Sequence, residues 1–203
     1  REHRPNDRIL AEESGGHDWK RGLVWIVYPI DGTVNFVHGL HQVSTSIGLR
    51  QEGKPDVGVV ESAVNQETFA AEARRGATLD GNPIRVSNVD HPARALVGTG
   101  FAYDRQQRAQ ERANTLAGVL REFQGIRRVG SAALDLCWVA AGRMDAYWEY
   151  GVKPWDTAAG ALIVQEAGGR ISTFTGGDYP LDDPGIVATN GHVHNAMLRA
   201  IAP

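Results

Sequence analysis

Residues 25–33 read Trp-Ile-Val-Tyr-Pro-Ile-Asp-Gly-Thr, an apolar, β-branched run that stops on a carboxylate and a glycine. Gly22 precedes it, so Val24–Ile30 has the length, composition and flanking punctuation of a buried strand. Working outward, Val43–Leu49 is again rich in β-formers. Val57–Val60 and Thr68–Ala71 flank Asn65-Gln66, the pattern of two antiparallel strands joined by a tight turn. Leu79-Asp80-Gly81-Asn82-Pro83 is a turn by composition. The second half changes character. Gln106–Phe123 carries apolar side chains at 109, 113, 116, 119, 120 and 123, a helical spacing. Gly130-Ser131 starts a helix over Ala132–Ala141 that Gly142 closes. Met144–Trp148 and Ile186–Ala188 read as strands, Trp155–Ala167 as an Ala-rich helix stopped by Gly168-Gly169, and His192–Ile201 as a last helix. Strands first, then helices alternating with strands, predict an α/β chain of layered α and β elements, not a bundle or a sandwich.

The chain has 203 residues, and 1–203 is read as one domain. Lys and Arg number 21 against 24 Asp and Glu, a net charge of −3, which argues against the broad basic face of a nucleic-acid binder. The single cysteine, Cys137, excludes an internal disulfide framework and a Cys-rich zinc site. No run of 18 apolar residues is present to span a membrane. The amino end lacks a signal-peptide pattern, so the cytoplasm is the expected location. The sequence opens on Arg1 rather than Met, and its first site-like motif begins at Glu12; a further segment upstream is expected. Glycine is in excess, 24 of 203 residues, where roughly 7% is usual, which suggests tight turns and close backbone approaches.

Three segments set carboxylates against apolar structure and small residues: Ile9–Gly15 with Glu12-Glu13-Ser14, Trp25–Thr33 with Asp31-Gly32-Thr33, and Trp155–Gly160 with Asp156. Carboxylates at the ends of buried strands suit hard, oxygen-loving cations such as Mg²⁺. Each also has a plainer reading. Asp156 can cap a helix, Asp31-Gly32-Thr33 can be a β-turn, and Glu12-Glu13 can be a solvated pair.

In order and wording the three segments resemble those of the inositol monophosphatase family of Mg²⁺-dependent, lithium-sensitive phosphatases. The likeness extends to Gly76–Val86, Gly98-Thr99-Gly100-Phe101 and Arg128–Ala133, and so covers nearly all of residues 9–201. It implies the layered sugar-phosphatase fold, here without the N-terminal helix pair of the family, and a homodimer. It implies two or three Mg²⁺ ions held by Glu12, the Ile30 carbonyl, Asp31 and Asp156. Glu12 and Thr33 would orient the attacking water, and the Gly32 and Thr33 amides would cradle the phosphate of a small phosphorylated substrate. Gly130, Ser131, Ala132 and Glu149 would line the sugar-alcohol side, with Asp31 and Asp156 also facing substrate. The implied reaction is in-line attack of metal-activated water on an inositol-1-phosphate type of monoester. Histidinol phosphate, fructose 1,6-bisphosphate and NADP are the alternative substrates.

One residue departs from this pattern. Tyr28 stands where the family has the aspartate that bridges two metals. A phenol is neutral near pH 7 and a poor Mg²⁺ ligand, so weak metal binding and low activity are expected, or a binding or regulatory role instead. The seven histidines show no metal-ligand spacing and read as surface or satisfied groups. Trp25, Trp138, Trp148 and Trp155 read as core aromatics, and Cys137 as inert packing. Arg127-Arg128 would either touch a substrate phosphate or solvate a strand edge.

Overall fold

The computed structural model describes residues 7–14, 20–102 and 106–202. Its first half is a seven-stranded sheet in the order of the chain: β1 (Arg8–Ala11), β2 (Leu23–Asp31), β3 (Ser44–Gln51), β4 (Lys54–Ser62), β5 (Glu67–Glu72), β6 (Gly76–Leu79) and β7 (Asn82–Ile84). Only the β1–β2 pair is parallel; every later pair is antiparallel. The predicted turn at Asp80-Gly81 is a two-residue hairpin with both residues at positive φ (51° and 78°), the geometry whose twist matches flanking strands. A short helix, α1 (Thr33–Val37), leaves the end of β2 where a turn was expected.

The second sheet runs β11-β12-β10-β8-β9, from β8 (Leu96–Thr99), β9 (Gly125–Arg127), β10 (Ala146–Tyr150), β11 (Arg170–Ser172) and β12 (Gly185–Thr189). Helices α2 (Ala109–Glu122), α3 (Ala132–Ala140), α4 (Pro154–Glu166) and α5 (His194–Ala200) fall where the sequence predicts them, within a few residues. Sequence reading does not find β1, β6, β7, β8, β9 and β11, strands of three or four residues.

Alternation within the second sheet sorts the layers. Ala146, Trp148 and Val187 face α2 and α5, while Tyr147, Ile186 and Ala188 face α3 and α4. The same α3 and α4 residues pack on Val60, Phe69 and Ala71 of the first sheet, so this helix pair lies between the sheets. Being covered on both sides, α4 is apolar around most of its circumference, with Thr157–Gly160 and Leu162–Val164 buried. Gly48 and Gly58 are register partners on β3 and β4, and both meet α4 directly. A Cβ on Gly48 would lie 2.9 Å from the Ala158 Cβ, and one on Gly58 would lie 2.8 Å from the Ala159 carbonyl. Among the four tryptophans read as core, Trp148 is buried at 5% exposure, whereas Trp25, Trp138 and Trp155 are half-buried. Cys137 is buried, as expected.

Candidate active site

The site begins with an irregularity in β2. Tyr28 pairs with Ser46 and Asp31 with Ser44, so Pro29 and Ile30 together oppose the single residue Thr45. The extra residue is a β-bulge, and proline, with no N–H to donate, is tolerated at such a place. Thr45 Oγ1 donates to the Pro29 carbonyl at 2.8 Å and ties the bulge down. Its effect is on parity. Val24, Ile26 and Tyr28 are buried on one face, and strict alternation would turn Asp31 to the other. With the bulge, Asp31 is buried beside Tyr28, while Ile30 is 38% exposed and lines a neighbouring groove.

Asp31 Oδ2 accepts from Ser131 Oγ at 2.6 Å and from the Ala133 amide at 2.8 Å, both at the start of α3. Ser131 is also the N-cap of α3, its Oγ accepting the Leu134 amide, and it contacts Ser44 Oγ at 3.0 Å. Burial raises the Asp31 carboxyl to about 6 despite these hydrogen bonds. Gly32 follows with φ +85°, and a Cβ there would lie 2.7 Å from the Gln42 carbonyl, so only glycine makes this turn into α1. Asn35 locks the turn from behind, donating to the Gln42 and Val129 carbonyls.

Asp156 enters from α4. The plain reading of it as the helix N-cap is corrected: Lys153 is the N-cap, and Asp156 occupies the third helical position. Its Oδ2 accepts the Lys153 amide at 2.7 Å, as the acidic half of a capping box does. Burial lifts its carboxyl to about 8, and the charges of Asp31, Glu149 and Glu12 push in the same direction. Glu149, near the end of β10, accepts a hydrogen bond from the Tyr147 hydroxyl and is raised by burial to about 7. Its carboxylate fills the space that a side chain at Gly100 would need.

Tyr28, Asp31, Gly32, Thr33, Gly130, Ala132, Glu149 and Asp156 therefore line one cleft of about 360 Å³, together with Gly100, Phe101 and Arg128. Ser131 stands behind it, on Asp31. Glu12 is exposed in a single turn of 3₁₀ helix after β1, near enough for its charge to reach Asp156. Of the histidines, His194 is buried and satisfied by Ser172 and Thr189, and His91 caps a short 3₁₀ turn; His3 and His17 lie outside the described residues. Sequence reasoning missed Asp135 and Tyr147 in the wall beneath Glu149. Asp135 is the lone acid in the apolar run Ala132–Ala140, which is the signal that could have found it.

The cleft's donor set is all oxygen, and its carboxylates disfavour one another's ionisation, as groups awaiting a hard cation do. Among the described residues, however, no three Asp, Glu, His or Cys side chains are placed to hold one ion.

A family model described as "Inositol monophosphatase family" matches residues 1–203. A protein of Synechocystis named inositol-1-monophosphatase is 43% identical over 199 residues, covering 98% of this chain and 69% of its own length. The Pseudomonas aeruginosa protein named Nus factor SuhB is 42% identical over 204 residues, covering 98% of this chain and 75% of its own. The solved inositol monophosphatase of Anabaena superposes with a TM-score of 0.93 at 40% identity, over 98% of this chain and 80% of that one. The layered α/β architecture is thus that of solved phosphatases, and the chain belongs to the inositol monophosphatase family.

Proposed function

We propose that the protein is a Mg²⁺-assisted phosphomonoesterase for a small polyol phosphate, of the inositol 1-phosphate kind, held to a low rate by Tyr28. The observation that carries this reading is the convergence of Asp31 and Asp156, from different layers, on the cleft that holds the Gly32-Thr33 turn. Asp31 and Asp156 would hold Mg²⁺ together with water, and Tyr28, which lines the same cleft, offers a neutral phenol where the resembling family has a further carboxylate. When bound, the ion would lower the pKa of a water and neutralise phosphoryl charge. The protein's own groups do the rest. The Gly32 and Thr33 amides donate to phosphoryl oxygens, the Thr33 hydroxyl and Glu12 orient the water, and Glu149 meets the alcohol's hydroxyls. The Ser131 and Ala133 hydrogen bonds fix Asp31, and the Lys153 amide fixes Asp156, so neither carboxylate has to reorganise as charge develops.

The test is Tyr28→Asp. Phosphate release from inositol 1-phosphate with Mg²⁺ is expected to rise on the order of a hundredfold in the variant. Histidinol phosphate, fructose 1,6-bisphosphate and NADP assayed alongside decide the substrate. A natural chain already as fast as the variant would overturn the role given to Tyr28, and an inactive variant would overturn the phosphatase reading. Tyr28, with relatives named Nus factor rather than phosphatase, favours a second reading, a binding or regulatory member of the family. For that reading calorimetry shows no Mg²⁺-linked heat and no variant at position 28 releases phosphate.

A further inference from the structure

One cation stands among the carboxylates of this cleft. Arg128 directly follows β9, and its guanidinium lies over Gly130, where an added Cβ would collide with Nη1. A Cβ on Gly32 would in turn lie 3.2 Å from the Gly130 carbonyl. The guanidinium, Gly130 and the Gly32-Thr33 turn are therefore stacked side by side on one cleft wall. The charge of Arg128 is felt by Asp31, Asp135 and Glu149, each of which it favours in the ionised form. Yet among the described residues no carboxylate lies within ion-pair distance of Arg128, whereas Arg75, Arg94 and Arg143 all have carboxylate partners. Its neighbour Arg127 is outside the cleft, bonded to the Ile126 carbonyl of its own strand.

An exposed guanidinium with no ion-pair partner, beside an anion-binding turn, has donors to offer a ligand, and its planar fork matches a carboxylate or phosphate in two parallel bonds. We propose that Arg128 is a specificity-determining residue that binds a second anionic group on the alcohol part of the substrate. Among polyol phosphates, the cleft then favours those bearing a further carboxylate or phosphate, with inositol 1-phosphate a weaker-binding member of the same class. The inference rests on the phosphatase reading for the seat of the first phosphate and names the substrate class within it.

Binding to the whole chain is measured by calorimetry, with Ca²⁺ in place of Mg²⁺ to suppress turnover. Two matched pairs serve as probes: glycerol 2-phosphate against 2-phosphoglycerate, and inositol 1-phosphate against inositol 1,4-bisphosphate. The doubly anionic member of at least one pair is expected to bind about tenfold tighter, and the pair that discriminates tells carboxylate from phosphate. Arg128→Gln brings that ratio near unity with an unchanged melting temperature, Arg128→Lys keeps part of it, and Arg127→Gln leaves it intact. Equal affinities within both pairs, or a ratio that survives Arg128→Gln, overturn the assignment. Phosphate release is scored separately in Tyr28→Asp. Discrimination in binding with no release there supports the role of Arg128 and removes the phosphatase reading alone.

Discussion

Asp135 is 1% exposed, and neither of its carboxyl oxygens has a hydrogen-bond partner. Burial, with the charges of Glu149 and Asp31, raises its pKa well above the ordinary carboxylate value. The sign of its effect on stability follows. Between pH 4 and the raised value the folded chain holds a proton that the unfolded chain has released, so stability falls as pH rises through that window. Asn carries no such proton. Asp135→Asn is therefore expected to gain stability relative to the natural chain as pH is raised from 4 to 8, read from urea midpoints at each pH. A constant difference across that range would show that Asp135 is ionised throughout. The motif made Asp31, Gly32 and Asp156 legible in the sequence. Asp135 was not, because an apolar helix between two sheets does not announce which side chain faces which sheet, and Tyr147 was not, because it reads as one more aromatic of a buried strand.

Among the elements, α4 is closely packed against both the first sheet and α3. Gly48 and Gly58 present a side-chain-free patch across β3 and β4 on which the Ala158 Cβ and the Ala159 backbone rest. Gly160 does the same for α3, since a Cβ there would be 2.7 Å from the Leu136 Cβ. Gly58→Ala must push α4 outward, and a loss of about 1–3 kcal/mol is expected, as for overpacked cores. The melting temperature should fall by several degrees. Gly177→Ala is the control: its φ is ordinary and a Cβ there would have Thr173 Oγ1 as its nearest neighbour, 3.7 Å away, so the melting point should barely move. Because α4 also carries Asp156, Gly58→Ala should lower phosphate release in Tyr28→Asp as well. The sequence showed α4 through its alanines and terminal glycines, and β2 through its unbroken apolar run. It hid β1 and β8 for different reasons. β1 is four residues opening on Arg8, while β8 carries Gly98 and Thr99 in a stretch that reads as loop.

At the scale of the molecule, the second sheet and the helix packed on it bury a polar group whose partners come from two strands. His194 is wholly buried, bonded through Nε2 to Ser172 of β11 and through Nδ1 to Thr189 of β12. Burial, with the charge of Arg170, lowers its pKa to about 4. As pH falls from 6.5 toward 4 the unfolded chain takes up a proton that the folded chain refuses, so stability is lost across that window. On the order of 2 kcal/mol is involved once screening is allowed for. His194→Gln keeps a donor and an acceptor and removes the titration. Its denaturation midpoint should fall less between pH 7 and 4.5 than that of the natural chain, and an equal fall would place the acid sensitivity elsewhere. The bulge at Pro29-Ile30 has a consequence for how such a chain can lose its activity. It works as a spatial reading frame: one residue inserted between Tyr28 and Asp31 decides which side of the sheet everything after it addresses. Deleting either Pro29 or Ile30 would preserve every carboxylate in the sequence and still turn Asp31 away from α3 and α4. An inventory of the site's carboxylates would score that chain as intact, although its frame had been shifted by one.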